Sequence, residues 1–188
     1  MQPSALVRVP SVVMSPAAGP FMIAALLVAL GGAAKAARPA DTANALRGVG
    51  VPARPWSVRL GGGLELLIGT YALVVGDRLG AALVAASYLL FAGFVTVALV
   101  RRAPIATCGC FGKADSPPSV LHLVLDLGAV VAALAVMADP GVGVGDVLAE
   151  QPLAGIPYLL LVATGTGLAY VGLTSLPRVL ALARPEVT

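Results

Sequence analysis

Cys108 and Cys110 are the two cysteines of the chain, separated by one glycine in the stretch ATCGCFGKADSPPS at 106–119. Two thiols at this spacing close a small, strained ring when oxidised, and departure from relaxed disulfide geometry makes the bond more reducible. Strained, exposed disulfides are the labile and catalytic ones rather than the structural ones. Gly109 lets the backbone relax into such a turn because it has no Cβ. Arg101, Arg102 and Lys113 lie close in sequence and favour thiolate over thiol, while Phe111 and Gly112 supply an apolar foot and a hinge. A metal is the rival reading: the pair plus His122 gives three soft ligands that suit Cu(I) or Zn(II). No fourth ligand and no second cysteine pair accompany them. Two idle thiols in a loop are the third reading.

The remaining candidates are ionisable groups inside apolar segments, where charge is expensive and faces a bundle interior or a cavity. Glu65 lies six residues after Arg59, roughly 9 Å along a helix at about 1.5 Å per residue. His122 and Asp126 stand at i,i+4 and share one helix face. Lys35 closes its apolar segment, where its stem can snorkel. Each has a structural reading beside the chemical one. Lys35 with Glu65 makes an interhelical ion pair, and His122 with Asp126 makes a polar pair that glues helices or handles protons.

The elements that must position these residues follow from composition. Of 188 residues, 59% are hydrophobic and 11% charged, against about 25% charged in a soluble domain, and mean hydropathy is +0.95. Too little polar surface remains to cover a water-facing globule, so the expected class is an all-α polytopic membrane bundle. A helix needs about 20 apolar residues to cross the hydrocarbon, and five runs qualify. They lie between Arg8 and Lys35, between Arg59 and Asp77, between Arg78 and Arg101, between Pro118 and Asp139, and from Gly155 to near Arg178. One integral membrane domain over 1–188 is expected. DTANAL at 41–46 reads as an interfacial turn of helix with Asp41 at its cap, and Trp56 as an interface anchor. GVGVG at 141–145 reads as a flexible connection, since it lacks the spacing of a phosphate loop. The small residues of AALVAAS at 81–87 and TGTG at 164–167 read as helix-packing surfaces. A formal charge of +3 without a basic run or stripe excludes nucleic acid as a partner; the lipid bilayer is the expected one.

Five spans put the end of the first, the start of the second, the end of the third and the start of the fourth on one side. Lys35, Glu65, Cys108, Cys110, His122 and Asp126 therefore gather in one leaflet region. The same parity places ten Lys and Arg residues on that side and only Arg8 and Arg78 on the other. The positive-inside rule then puts the N-terminus outside and the cysteines at the cytoplasmic face, where thiols are kept reduced. Either the pair accepts reducing equivalents there, or the charge count misleads and the pair faces the oxidising side.

CGCFG at 108–112 after a third span, AAKAARP ending the first span and ELLIG at 65–69 in the second are similar to the MauE family of methylamine utilisation proteins, within the DoxX-like membrane proteins. LDL at 125–127 stands where that family has an Arg-containing step, with Leu125 in place of the arginine. The resemblance implies a four-helix core over 14–140, an added C-terminal helix over 152–178, and an N-terminal apolar segment retained rather than cleaved. It further implies a bacterial inner-membrane, multi-pass factor linked to thiol–disulfide chemistry in the maturation of a partner, at most a thiol–disulfide oxidoreductase-like membrane factor. In this reading Cys108 and Cys110 form the redox pair, with Glu65, His122 and Asp126 as polar support and Lys35 and Phe111 as binding residues. No metal ligand is assigned, and the resemblance fixes no cofactor, a quinone being the one left open. The implied partners are a thioredoxin-like protein and a secreted client such as a methylamine dehydrogenase. A metal-binding or purely structural membrane scaffold is the alternative.

Overall fold

The computed structural model describes residues 15–103, 105, 111, 116–141, 143–150 and 152–182. Every regular element among them is helical: α1 (Ala18–Ala37), α2 (Pro39–Gly48), α3 (Pro55–Val75), α4 (Arg78–Val100), α5 (Val120–Ala138), α6 (Val144–Glu150) and α7 (Pro152–Leu182). Five of these are long and apolar enough to span a membrane: α1, α3, α4, α5 and residues Leu153–Ser175 of α7. They match the five expected spans. Large apolar side chains point outward from them, as in Leu60, Leu64 and Leu67 of α3, because their solvent is lipid.

Helix ends follow local chemistry more closely than the edges of the apolar runs do. The second span starts at Pro55 rather than after Arg59. Pro55 is preset for the first helical position, and the Ser57 hydroxyl accepts the Arg54 N–H at 3.3 Å. Trp56 is thereby carried to the exposed mouth of α3. DTANAL is helical, but the helix begins at Pro39 and Asp41 lies within its first turn instead of at the cap. At the other end of the bundle α3 closes on Gly76 in the left-handed region, φ 62°. Asp77 then caps α4 by accepting the Gly80 N–H at 2.8 Å. Gly141 and Gly143 form the connection expected there, and the residues from Val144 onward add a short helix that their composition did not announce.

α1 is the central element, packed most extensively on α3 and also against α2, α4, α5 and α7; α4 and α5 form the second tight pair. The α1–α3 seam is built from glycine and alanine. A Cβ on Gly32 would lie 2.6 Å from the Gly62 carbonyl oxygen, and one on Gly62 would lie 2.7 Å from that of Gly32. Seven residues along in opposite directions, a Cβ on Gly69 would lie 2.5 Å from the Ala25 carbonyl oxygen. The two helices are thus antiparallel with backbones in contact, the arrangement small residues permit in a bilayer. AALVAAS is likewise a packing surface, with Ala81, Val84, Ala85 and Ser87 buried. In TGTG the packing residues are Gly165, against Ile23, and buried Thr166.

Candidate functional site

The α1–α3 seam places the first pair of candidates. Lys35 is one turn beyond Gly32 and Glu65 one turn beyond Gly62, and each glycine accommodates the Cβ of the other helix's charged residue. Lys35 Nζ meets Glu65 Oε2 at 2.5 Å. The lysine is buried, with 8% of its side chain exposed, and the glutamate keeps 20%. On its other side the ammonium lies 4.3 Å from the centre of the Phe91 ring of α4, a cation–π contact that strengthens where water is excluded. The pair lines a cavity of about 540 Å³ between α2, α3 and α4, together with Ser57, Ser87 and Phe94.

Phe91 also faces a second cavity, of about 490 Å³, between α1, α4, α5 and α7. His122 and Asp126 sit on its α5 wall, Tyr88 on α4, and Leu173 and Ala169 on α7. His122 is buried, and its Nδ1 lies 2.9 Å from the Ser119 hydroxyl. Tyr88 is fixed by donating its hydroxyl to the Ala24 carbonyl at 3.0 Å, and its ring meets Phe91 edge-on at 5.6 Å. Asp126 lies one turn along α5 from His122 and lines the same cavity. Ionisable side chains thus run from Glu65 on α3 and Lys35 on α1, which are ion-paired, to Asp126 and His122 on α5. Phe91 stands between the two cavities.

Phe111 belongs to the second cavity as well. It packs edge-on against Tyr170 of α7 at 5.1 Å. Ser116, buried, donates to the Leu173 carbonyl of α7 at 2.6 Å. The α4–α5 connection is thus fastened to α7 at Phe111 and Ser116. On the same end Arg59 donates to the Ala36 carbonyl at 3.1 Å and Arg101 to the Val49 carbonyl at 2.8 Å. These arginines satisfy backbone oxygens left over where helices end.

Lys35, Glu65, Phe111, His122 and Asp126 consequently gather at one end of the bundle, as the parity of the spans requires. Cys108 and Cys110 lie outside the described residues, as does Lys113. Among the described residues no group of three His, Cys, Asp or Glu side chains stands ready to hold a metal. At the opposite end, outside the spans, Asp77 is the perturbed group. The Gly80 N–H, then the Tyr71 hydroxyl at 2.8 Å, hold its carboxyl below the usual carboxylate range.

A family model described as methylamine utilisation protein MauE matches residues 13–139. The chain belongs to the MauE family. It is a multi-pass membrane protein of that methylamine utilisation family. No curated protein and no solved structure matches it. The MauE match ends with α5, so α6 and α7 lie beyond it. Yet α7 supplies part of the cavity wall around two residues within the MauE region, His122 and Asp126. Tyr88, Phe91, Ser119 and Tyr170 are the site residues that sequence reasoning missed. Aromatic residues at i, i+3 and i+6 of α4, Tyr88, Phe91 and Phe94, were the available signal for the first two. Ser119 and Tyr170 gave none, because their roles depend on which helix faces them.

Proposed function

We propose that this MauE-family protein is a bacterial inner-membrane thiol–disulfide factor that exchanges electrons with a partner protein through Cys108 and Cys110. One observation carries the reading most: Phe111, the residue that follows Cys110, lines the same cavity as His122 and Asp126. A dithiol carried beside two protonatable groups has what exchange requires. A thiolate attacks a disulfide sulfur, a mixed disulfide forms, and the second thiolate resolves it. Each turn moves two electrons between the pair and the partner, and the protons shed or taken up by the sulfurs need nearby bases. His122 and Asp126 fill that role. Lys35 with Glu65 holds the adjoining end of the bundle in register. A thioredoxin-like protein is the expected exchange partner, and a disulfide-containing client such as a methylamine dehydrogenase the expected beneficiary.

Replacing one cysteine blocks resolution and traps the mixed disulfide. Cys110→Ser in native membranes is expected to accumulate a covalent adduct of Cys108 with a partner protein, visible on non-reducing gels and released by dithiothreitol. If neither Cys110→Ser nor Cys108→Ser yields such an adduct, the exchange reading fails.

A further inference from the structure

The second cavity holds more than thiol chemistry alone requires. Three aromatic rings, Tyr88, Phe91 and Phe111, surround it, and His122 and Asp126 occupy its α5 wall. Its volume of about 490 Å³ falls within the roughly 300–1,000 Å³ of small-molecule sites. It opens sideways to lipid. Its wall includes Val124 and Leu125, which are 59% and 40% exposed on the outside of the bundle, and α5 and α7 touch only sparsely there. A Cβ on Gly128, also in that wall, would meet nothing within 4 Å. A ligand arriving by this route comes from the bilayer, so it is apolar. The aromatic walls favour a flat ring, and the two ionisable side chains favour a ligand with hydrogen-bonding oxygens. A plain acyl chain fits the walls but makes no use of the two ionisable side chains, which a ligand with carbonyl oxygens can engage.

We infer that this cavity binds the ring of a membrane quinone, with its carbonyl oxygens turned toward His122 and Asp126. The inference rests on the thiol–disulfide reading, to which it adds the electron acceptor. In the reaction two S–H bonds of the Cys108–Cys110 dithiol break and one S–S bond forms. Two electrons and two protons pass to the quinone, whose two C=O groups become the two C–OH groups of the quinol. His122 and Asp126 relay the protons to the carbonyl oxygens.

The test is equilibrium binding of radiolabelled decylubiquinone to the full chain in nanodiscs. Saturable binding is expected. Gly128→Leu, which adds bulk at the lateral opening where a Cβ meets nothing within 4 Å, should weaken it at least tenfold, and Asp126→Asn several-fold. Gly93→Leu adds the same bulk at an exposed, open position of α4 and should bind as the parent does. No saturable binding by the parent, or binding that both Gly128→Leu and Asp126→Asn leave unchanged, overturns the inference. Trapping the cysteine redox state in the same nanodiscs separates the two readings. Saturable, Gly128-dependent binding with inert thiols upholds the quinone site and sinks the thiol reading. Thiols that exchange with a protein partner while quinone fails to bind do the reverse.

Discussion

Lys35 is the most constrained side chain of the site, because it answers to a carboxylate on one side and an aromatic face on the other. Breaking a buried pair by removing one partner costs about 3 kcal/mol, since it strands the other charge, whereas replacing both by apolar groups costs far less. Lys35→Met is therefore expected to destabilise the bundle by about 3 kcal/mol, and the Lys35→Met, Glu65→Leu double variant by clearly less. Reversible unfolding in mixed micelles measures both; a double variant as damaged as the sum of the singles would show that the two do not interact. Asp77 makes a different prediction, at the far end of the bundle. Its carboxyl is depressed in the folded state, so its stabilising effect is complete above the ordinary carboxylate range. That effect is lost as pH falls below about 4. Asp77→Asn keeps the cap and should remove this part of the pH dependence, while Asp77→Ala should lose the cap at every pH. The unusual residues themselves were all legible in the sequence. Their partners were not, because a cation–π contact to Phe91 or a bond to Ser119 depends on the rotation of neighbouring helices, which residue spacing does not specify.

At the scale of the element, the α1–α3 seam decides where the ion pair sits. Gly62 and Gly63 are neighbours in sequence, but only Gly62 has α1 backbone within reach of a Cβ; nothing lies within 4 Å of the Cβ position at Gly63. The same substitution should thus have opposite signs at the two positions. Gly63→Ala is expected to stabilise α3 by about 0.5–1 kcal/mol through the lower entropy cost of alanine. Gly62→Ala must push two backbones apart and should destabilise by about 1–3 kcal/mol. Thermal unfolding of the two variants side by side checks this, and equal effects would place α1 and α3 further apart than described here. The spans were readable because charge-free apolar runs of about 20 residues have one physical meaning in this composition. The seam was less so, since Gly32, Gly62 and Gly69 do not differ by type from Gly61 and Gly63; what distinguishes them is the helix they face. The short α6 was missed for a related reason, its glycine-rich approach masking a helix of a single turn or two.

For the whole molecule, antiparallel packing collects the candidate residues at one end and leaves the cap of Asp77 at the other. Span parity assigns ten of the twelve lysines and arginines to the side of the cysteines, so the positive-inside rule predicts that a membrane-impermeant maleimide labels the pair in inverted vesicles but not in intact cells. Labelling in intact cells would invert the topology and bring the pair to the side where secreted clients fold. α7, beyond the MauE-matched region, joins this end through Tyr170 and Leu173, which no pattern within the matched region could have indicated. The account's central claim remains that Cys108 and Cys110 form a working redox pair, and the most direct measurement is their oxidation state in native membranes. Alkylation with a mass-tagged maleimide, before and after reduction, should find the pair oxidised in part of the population and converted to two free thiols by dithiothreitol. Two thiols that are fully alkylated without reduction, and stay so after exposure to an oxidised thioredoxin-like protein, would contradict it.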